Sequence, residues 1–291
     1  MNIEQKVFKW MEINARPLEL AQYKYLYKNG SKDVLLNQLS RFQTESGGFA
    51  FGLEPDNLNA HPQAIQTWAA IPYILDLKLT TSDPMLNKTL DYLTNSMDEN
   101  GFYAATIPSN NRVPHAVWWN YDQEHSYWGY NPSIALWAFI YKYRKGLKVK
   151  RLIVDAFAAF IDSPSDEMHE LKCFVDAYTY LYEDKDDFLS FAVFEDVLKK
   201  QVLEVVKGHQ DDPKESYGPS ALTFVDSPSS LLYCVLRPYI ETKLANLKNE
   251  INDKNMWDIS FHWGQYETYF EKARVNWQSI LVVKYMRFLI K

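Results

Sequence analysis

The sequence predicts an all-α protein, arranged as an α/α toroid in which helical hairpins close a ring with inner and outer layers. Three observations lead there. Apolar residues recur at helical period along most of the chain, and no strand-like alternation lasts more than a few residues. A short turn after a helix comes back later in the chain. No flexible linker breaks the pattern, so the 291 residues read as one domain over 1–291.

The elements follow in order. Ile3 to Asn14 is a first helix, stopped before Arg16-Pro17 because proline disfavours the helical region for its predecessor. Pro17 suits the first turn of a second helix, Leu18 to Lys28, closed at Asn29-Gly30. Ser31 caps a third, with Val34, Leu35, Leu39 and Phe42 on one side. A long apolar helix runs from His61-Pro62 to Leu79, and another from Ser82-Asp83-Pro84 to Ser96. An aromatic loop of unusual length, Met97 to Asn131, separates these from four more helices, Ser133–Arg144, Val149–Ile161, Asp166–Tyr182 and Phe188–Lys207. After a proline-containing stretch, Gly208 to Pro228, Ser229 to Asn252 reads as two helical pieces around Pro238. A third loop, Asp253 to Phe270, precedes a last helix from Arg274 to Ile290.

The repeated turn is Gln43-Thr-Glu-Ser-Gly-Gly-Phe49 against Ser96-Met-Asp-Glu-Asn-Gly-Phe102, 53 residues apart, with a weaker copy at Ile251–Trp257. Each follows an amphipathic helix. A period near 50 residues with two helices per unit is what stacked helical hairpins give.

Gln43-x-x-x-Gly47-x-Phe49 resembles the Gln-x3-Gly-x-Trp repeat of squalene-hopene cyclases, with Phe for Trp. Four longer stretches, GGFAFGLEPD, VPHAVWW, NPSIALWAF and the C-terminal MWDISFHWGQYETYFEKARVNWQSILVVKYM, resemble a bacterial prenyltransferase-like or terpenoid-cyclase-like family over nearly the whole chain. The resemblance implies the toroid and a structural role for the repeat. It carries no established reaction.

Composition narrows the function. Net charge is −6 and no basic stripe stands out, against nucleic acid as main partner. The two cysteines, Cys173 and Cys234, form neither a disulfide framework nor a metal motif, and read as core residues. No cofactor is implied. The amphipathic first helix lacks a signal-peptide core and no apolar run is long enough to span a bilayer, so a cytoplasmic location is expected. Oligomeric state is left open. The aromatic share of 15% predicts ring-rich packing and a ring-lined cavity.

Candidate chemistry lies in three loops. Glu54-Pro55-Asp56 presents two carboxylates rigidly, as proton transfer requires, although side chains this close in sequence tend to point apart. The competing role is a helix cap or an arginine partner. His115, with Trp118 and Trp119, joins them as a third catalytic candidate, since imidazole titrates near neutrality. His61, Trp118, Trp119, Trp257, Asp258, His262 and Trp263 are candidate substrate-binding residues. In a ring, loops 44–60, 97–131 and 253–270 emerge on one face and bring these residues around one mouth. Asp184-Lys185-Asp186-Asp187 matches a cyclase proton-donor motif in letters but reads as a solvated turn. Asp211-Asp212-Pro213-Lys214-Glu215 is interrupted by its proline, which a metal-binding helical face does not tolerate.

Three functions fit these features. One is an enzyme on an isoprenoid or similar apolar substrate, with Asp56 or Glu54 as acid and tryptophans stabilising cationic charge. The second is a carbohydrate-active hydrolase or lyase using the carboxylates and His115. The third is a non-catalytic binding or scaffold protein. A dry ring-lined cavity favours the first and a wet groove the second.

Overall fold

The computed structural model describes residues 2–210, 217–251 and 256–290. Among them the chain forms twelve α-helices, four short 3-10 turns and no strand. The helices are α1 (Ile3–Asn14), α2 (Pro17–Tyr27), α3 (Lys32–Ser40), α4 (Ala64–Asp76), α5 (Pro84–Asn95), α6 (Tyr130–Arg144), α7 (Leu147–Asp162), α8 (Met168–Leu181), α9 (Phe191–Gly208), α10 (Ala221–Phe224), α11 (Tyr233–Glu250) and α12 (Glu267–Leu289). Two boundaries differ from the sequence expectation. Pro238 lies inside a continuous α11, which gives up one intrahelical hydrogen bond there without breaking into two pieces. The last helix starts a full turn and more before Arg274, at Glu267, because Tyr266 takes a left-handed conformation (φ 54°) that ends the preceding loop.

One apolar cluster runs from Val7 near the start to Met286 near the end. At its centre is α6, whose residues from Pro132 to Tyr141 are all buried. It packs on α4, α5, α7 and α8. Beyond α8 come α9, α10 and α11. The chain's last helix returns to its beginning: α12 packs on α1 and α2, and Tyr27 donates its hydroxyl to the Val283 carbonyl at 2.9 Å. Two ring contacts tie α11 and the loop after it to α12, Tyr233 on Phe288 and Trp257 on Tyr285.

The repeated turn is present, one residue out of the register read from sequence. Gly47 (φ 95°) and Gly101 (φ 94°) are equivalent, 54 residues apart. The same two backbone bonds close each turn, Thr44 N–H to Gly48 O and Gly47 N–H to Thr44 O in one, Asp98 N–H to Phe102 O and Gly101 N–H to Asp98 O in the other. Phe49 therefore matches buried Tyr103, not Phe102. The sequence alignment paired the two phenylalanines, but backbone conformation places the glycines opposite each other. Both glycines meet the next odd-numbered helix. A Cβ on Gly47 would fall 2.1 Å from the Lys88 carbonyl oxygen of α5, and one on Gly101 would fall 2.6 Å from Leu152 of α7. Gln43 reinforces the first joint, its amide donating to Gly47 O, Met85 O and Thr89 Oγ1, each at 3.0 Å. The weaker third copy, Ile251–Trp257, lies mostly outside the described residues, as does the Asp211–Glu215 motif.

Candidate functional site

A cavity of about 2680 Å³ opens between α2, α4, α8, α10, α11 and α12. That is roughly three times the upper end of ordinary small-ligand pockets. The four-residue α10 forms part of the wall between α8 and α11.

Glu54 and Asp56 both line it. Three anchors hold their loop. Gln66 of α4 accepts from the Glu54 N–H at 2.9 Å and donates to Asn57 O at 2.7 Å. Arg16 donates to Gly52 O at 2.6 Å. From above, Ala116 N–H bonds Asp56 O at 2.8 Å. Asp56 is buried, and its Oδ1 accepts two indole N–H bonds, from Trp263 and Trp277, each 2.7 Å. The two carboxyls both line the cavity and are close enough to perturb each other's titration. They therefore do not point apart as their spacing suggests. The Asp56 N–H bonds back to Glu54 Oε2 at 3.2 Å, which folds the Glu54 side chain over the intervening proline.

Two carboxyls this close in a buried site ionise one after the other, not together. Burial, followed by the neighbouring Asp56 charge, pushes Glu54 well above the ordinary carboxyl range. Burial also pushes Asp56 up, to about 6, against the opposing pull of the two indoles. Glu54 thus keeps the proton and Asp56 titrates next. A folded-state pKa above the unfolded one means stability present below about pH 4 and lost as pH rises through about 6, worth about 3 kcal/mol for a two-unit shift. Urea unfolding of wild type and of E54Q/D56N between pH 4 and 7 checks this. The double variant should gain at least about 3 kcal/mol on wild type as pH rises across that window, the part due to Asp56, and Glu54, held protonated in the fold while its unfolded counterpart ionises, adds to it. A constant difference would show that neither carboxyl is raised in the fold.

The three aromatic loops meet at this pair. Leu58 N–H bonds Pro114 O, Val117 N–H bonds Trp263 O, and Gln265 donates to His115 O. Beneath them Ile65, Ala116, Trp119, Trp263, Phe270 and Ala273 form a second apolar cluster. Of the expected site residues, Glu54, Asp56, Trp118, Trp119, Trp257 and Asp258 reach the cavity wall. Trp118 packs edge-on against Phe261, which in turn meets Trp277.

Four candidates do not reach it. His115 is buried away from the cavity, its Nδ1 2.6 Å from Val113 O and its Nε2 2.7 Å from Asn120 Oδ1, so both nitrogens serve the loop. His61 is exposed and off the wall, on a turn where Asn59 accepts its backbone N–H. His262 binds Glu267 at 2.8 Å on the outside of α12. Trp263 is fully buried behind Asp56 and acts on it as a donor. Among those that do reach it, Asp258 is taken up by an ion pair with Arg274, and Trp257 donates to Leu247 O at 3.0 Å. Asp184 and Asp187 pair with Lys145 in a turn, as expected of a solvated motif. Cys173 is buried, whereas Cys234, read as core, is exposed on α11.

Two features of the wall have no counterpart in the sequence reading. One is Trp277, on the last helix. The other is a charged network across four elements. Trp68 of α4 donates to Asp176 of α8 at 3.1 Å, and Lys172 contacts the same carboxylate. Lys172 and Lys284 flank Asp226 at 3.7 and 3.8 Å, and Arg287 pairs with Asp76 at 2.5 Å. Only helical spacing links Lys172 with Asp176 or Lys284 with Arg287 in sequence, and such spacing is common on solvated faces. The described residues contain no cluster of side chains suited to a metal ion. None of their helices is long and apolar enough to cross a membrane.

Comparison with protein-family models, with curated proteins and with solved structures found no match for this chain.

Proposed function

We propose that this protein is a small-molecule enzyme built on an α/α toroid, in which the Glu54–Asp56 pair transfers a proton to or from a ligand in the central cavity. The carrying observation is a pair of carboxyls on the cavity wall, joined by the Asp56 N–H bond to Glu54 Oε2 and both raised above the ordinary carboxyl range. The ring is inferred from the circuit of neighbours α2–α4–α6–α8–α10–α11–α12–α2. Its α2–α4 step is the Gln22–Asp76 hydrogen bond, and its α11–α12 step is the Tyr233–Phe288 ring contact. The repeated turns, joining α3 to α5 and α5 to α7, supply an outer layer. This is the architecture that the likeness to terpenoid-cyclase-like proteins implies.

The ligand we favour is polar and ring-bearing, of the carbohydrate class. Lys172, Asp176, Asp226, Lys284, Asp76 and Arg287 all face the cavity, and an apolar chain would cost these ion pairs their remaining water and offer them no hydrogen bond in return. Trp118, Trp68 and Trp277 offer ring faces for stacking on sugars. Glu54 Oε2 folds back to the Asp56 N–H at 3.2 Å, which puts both carboxyls on one side, whereas glycosidases place them roughly 5–9 Å apart across the bond. Proton transfer from one face, as in elimination, suits the pair better than hydrolysis. An isoprenoid ligand is the second reading, favoured by the edge-to-face rings of Trp118, Phe261 and Trp277 beside the acid pair. Native mass spectrometry of freshly purified protein separates the two. A retained oligosaccharide is expected, and a retained lipid would replace the polar reading with the isoprenoid one.

A further inference from the structure

Elsewhere on the cavity wall, three side chains form a chain of hydrogen bonds that nothing so far employs. Glu167 caps the start of α8, accepting the backbone N–H groups of His169 at 3.0 Å and Glu170 at 2.8 Å. These bonds fix its carboxylate, and the same Oε1 lies 2.6 Å from His169 Nδ1. His169 Nε2 lies 2.7 Å from the Tyr217 hydroxyl. All three residues line the cavity.

Chemistry sets the direction of each bond. A carboxylate only accepts, so Nδ1 carries the hydrogen it shares with Glu167. In the neutral ring Nε2 then has its lone pair free, and it accepts from the Tyr217 O–H. A carboxylate that orients an imidazole, which in turn takes a hydroxyl proton, is the logic by which a weak hydroxyl becomes an active one. Tyr217 itself faces the reactive region. Its ring meets Phe261 edge-on, the ring that also touches Trp118 and Trp277.

We propose that Glu167, His169 and Tyr217 form a carboxylate–imidazole–phenol relay that makes Tyr217 a second proton-transfer group of this cavity. In the basic direction a ligand proton passes to the Tyr217 oxygen while the Tyr217 proton passes to His169 Nε2. The products are a deprotonated ligand, neutral tyrosine and an imidazolium facing the Glu167 carboxylate. The reverse flow makes Tyr217 an acid. The relay does not rest on the Glu54–Asp56 pair, and it stands if that pair proves structural.

Electrostatics agree with this assignment. Desolvation of its hydroxyl, then the charges of Asp56, Glu167 and Glu54, push the Tyr217 phenol up to about 12, although just over half of the residue as a whole is exposed. Burial would raise Glu167, but its bonds from His169 and the backbone outweigh that and hold it down to about 2. Free tyrosinate at Tyr217 is therefore scarce near neutrality, on the order of one molecule in ten thousand at pH 8. High reactivity there has to come from the imidazole.

That gives a test needing no knowledge of the natural ligand. The full chain is treated at pH 8 with 4-(2-aminoethyl)benzenesulfonyl fluoride, and modified tyrosines are mapped by peptide mass spectrometry over time. The phenol oxygen attacks sulfur, fluoride leaves, a sulfonate ester forms and the proton goes to His169. Tyr127, Tyr266 and Tyr269, exposed at 50%, 42% and 43% against 56% for Tyr217, are internal controls. Tyr217 should react at least about tenfold faster than these three, and H169Q should bring it down to their rate. His169 is half-exposed, so the variant is expected to fold, and circular dichroism checks that. Equal rates in the wild type would overturn the relay without any variant. So would an unchanged or faster rate in H169Q, the result if His169 merely holds the loop in place.

Discussion

Replacing Asp56 with alanine should destabilise the protein by about 3 kcal/mol, while asparagine at the same position should cost about 1 kcal/mol or less. The difference comes from the two indoles. Trp263 is fully buried, and without an acceptor its N–H has no route to water. A buried donor left unpaired costs about 1–3 kcal/mol, and the two lost bonds are of the stronger, charge-assisted kind. Trp277 is part-buried on the cavity side, so water in the cavity can replace Asp56 there. Asparagine keeps a carbonyl oxygen for both indoles and removes a carboxylate whose ionisation burial already opposes. The check is urea unfolding at pH 7 followed by tryptophan fluorescence. Alanine and asparagine variants of equal stability would mean that the indole bonds contribute nothing, and that Asp56 is present for its charge alone. If the order holds, D56N becomes the useful reagent: a folded protein that has lost the Asp56 carboxylate and kept the indole bonds.

Much of this arrangement could be read from the residues. Periodicity and proline-glycine punctuation located nearly every helix, because both act within a few neighbouring residues. The repeat is legible because its glycines and aromatics are fixed by a tight turn docked on the next odd-numbered helix. Its register slipped by one, since sequence alone cannot tell which of Gly47 and Gly48 carries the positive φ. The meeting of three loops at Glu54 and Asp56 followed from the repeat. Roles inside those loops did not follow. Imidazoles were chosen as chemical groups, yet His115 spends both nitrogens on its own loop and His262 bonds outward to Glu267. Tyr217 and His169 lie 48 positions apart, and no local spacing links them. Trp277, Lys284 and Arg287 sit on a helix whose composition is nearly even around its circumference, so no stripe marked the cavity face.

Arg16→Met should be the most damaging single change near the site, at about 3–5 kcal/mol, the cost of breaking a buried ion pair from one side. Glu19 on α2 has no exposed surface, and Arg16 grips it with two parallel bonds of 2.7 and 2.6 Å. Tyr73 of α4 donates to the same carboxylate at 2.7 Å. Methionine would leave Glu19 with that hydroxyl alone. The guanidinium also donates to Gly52 O at 2.6 Å and Leu53 O at 3.2 Å, just before Glu54. One planar fork thus joins α2 to the acid-bearing loop, and Arg16→Lys cannot reproduce it because a single ammonium lacks the paired, coplanar donors. The charge component can be isolated. In R16M/E19L the uncompensated carboxylate is gone, and most of the loss should be recovered, as replacing whole buried pairs by apolar residues often achieves. The loop carbonyls would still lack their donor, so the double variant should regain stability without regaining any activity that depends on Glu54. Urea unfolding of the three variants reads the first point. A double variant no more stable than R16M would show that the cost lies in the loop carbonyls of Gly52 and Leu53, and not in the charge of Glu19.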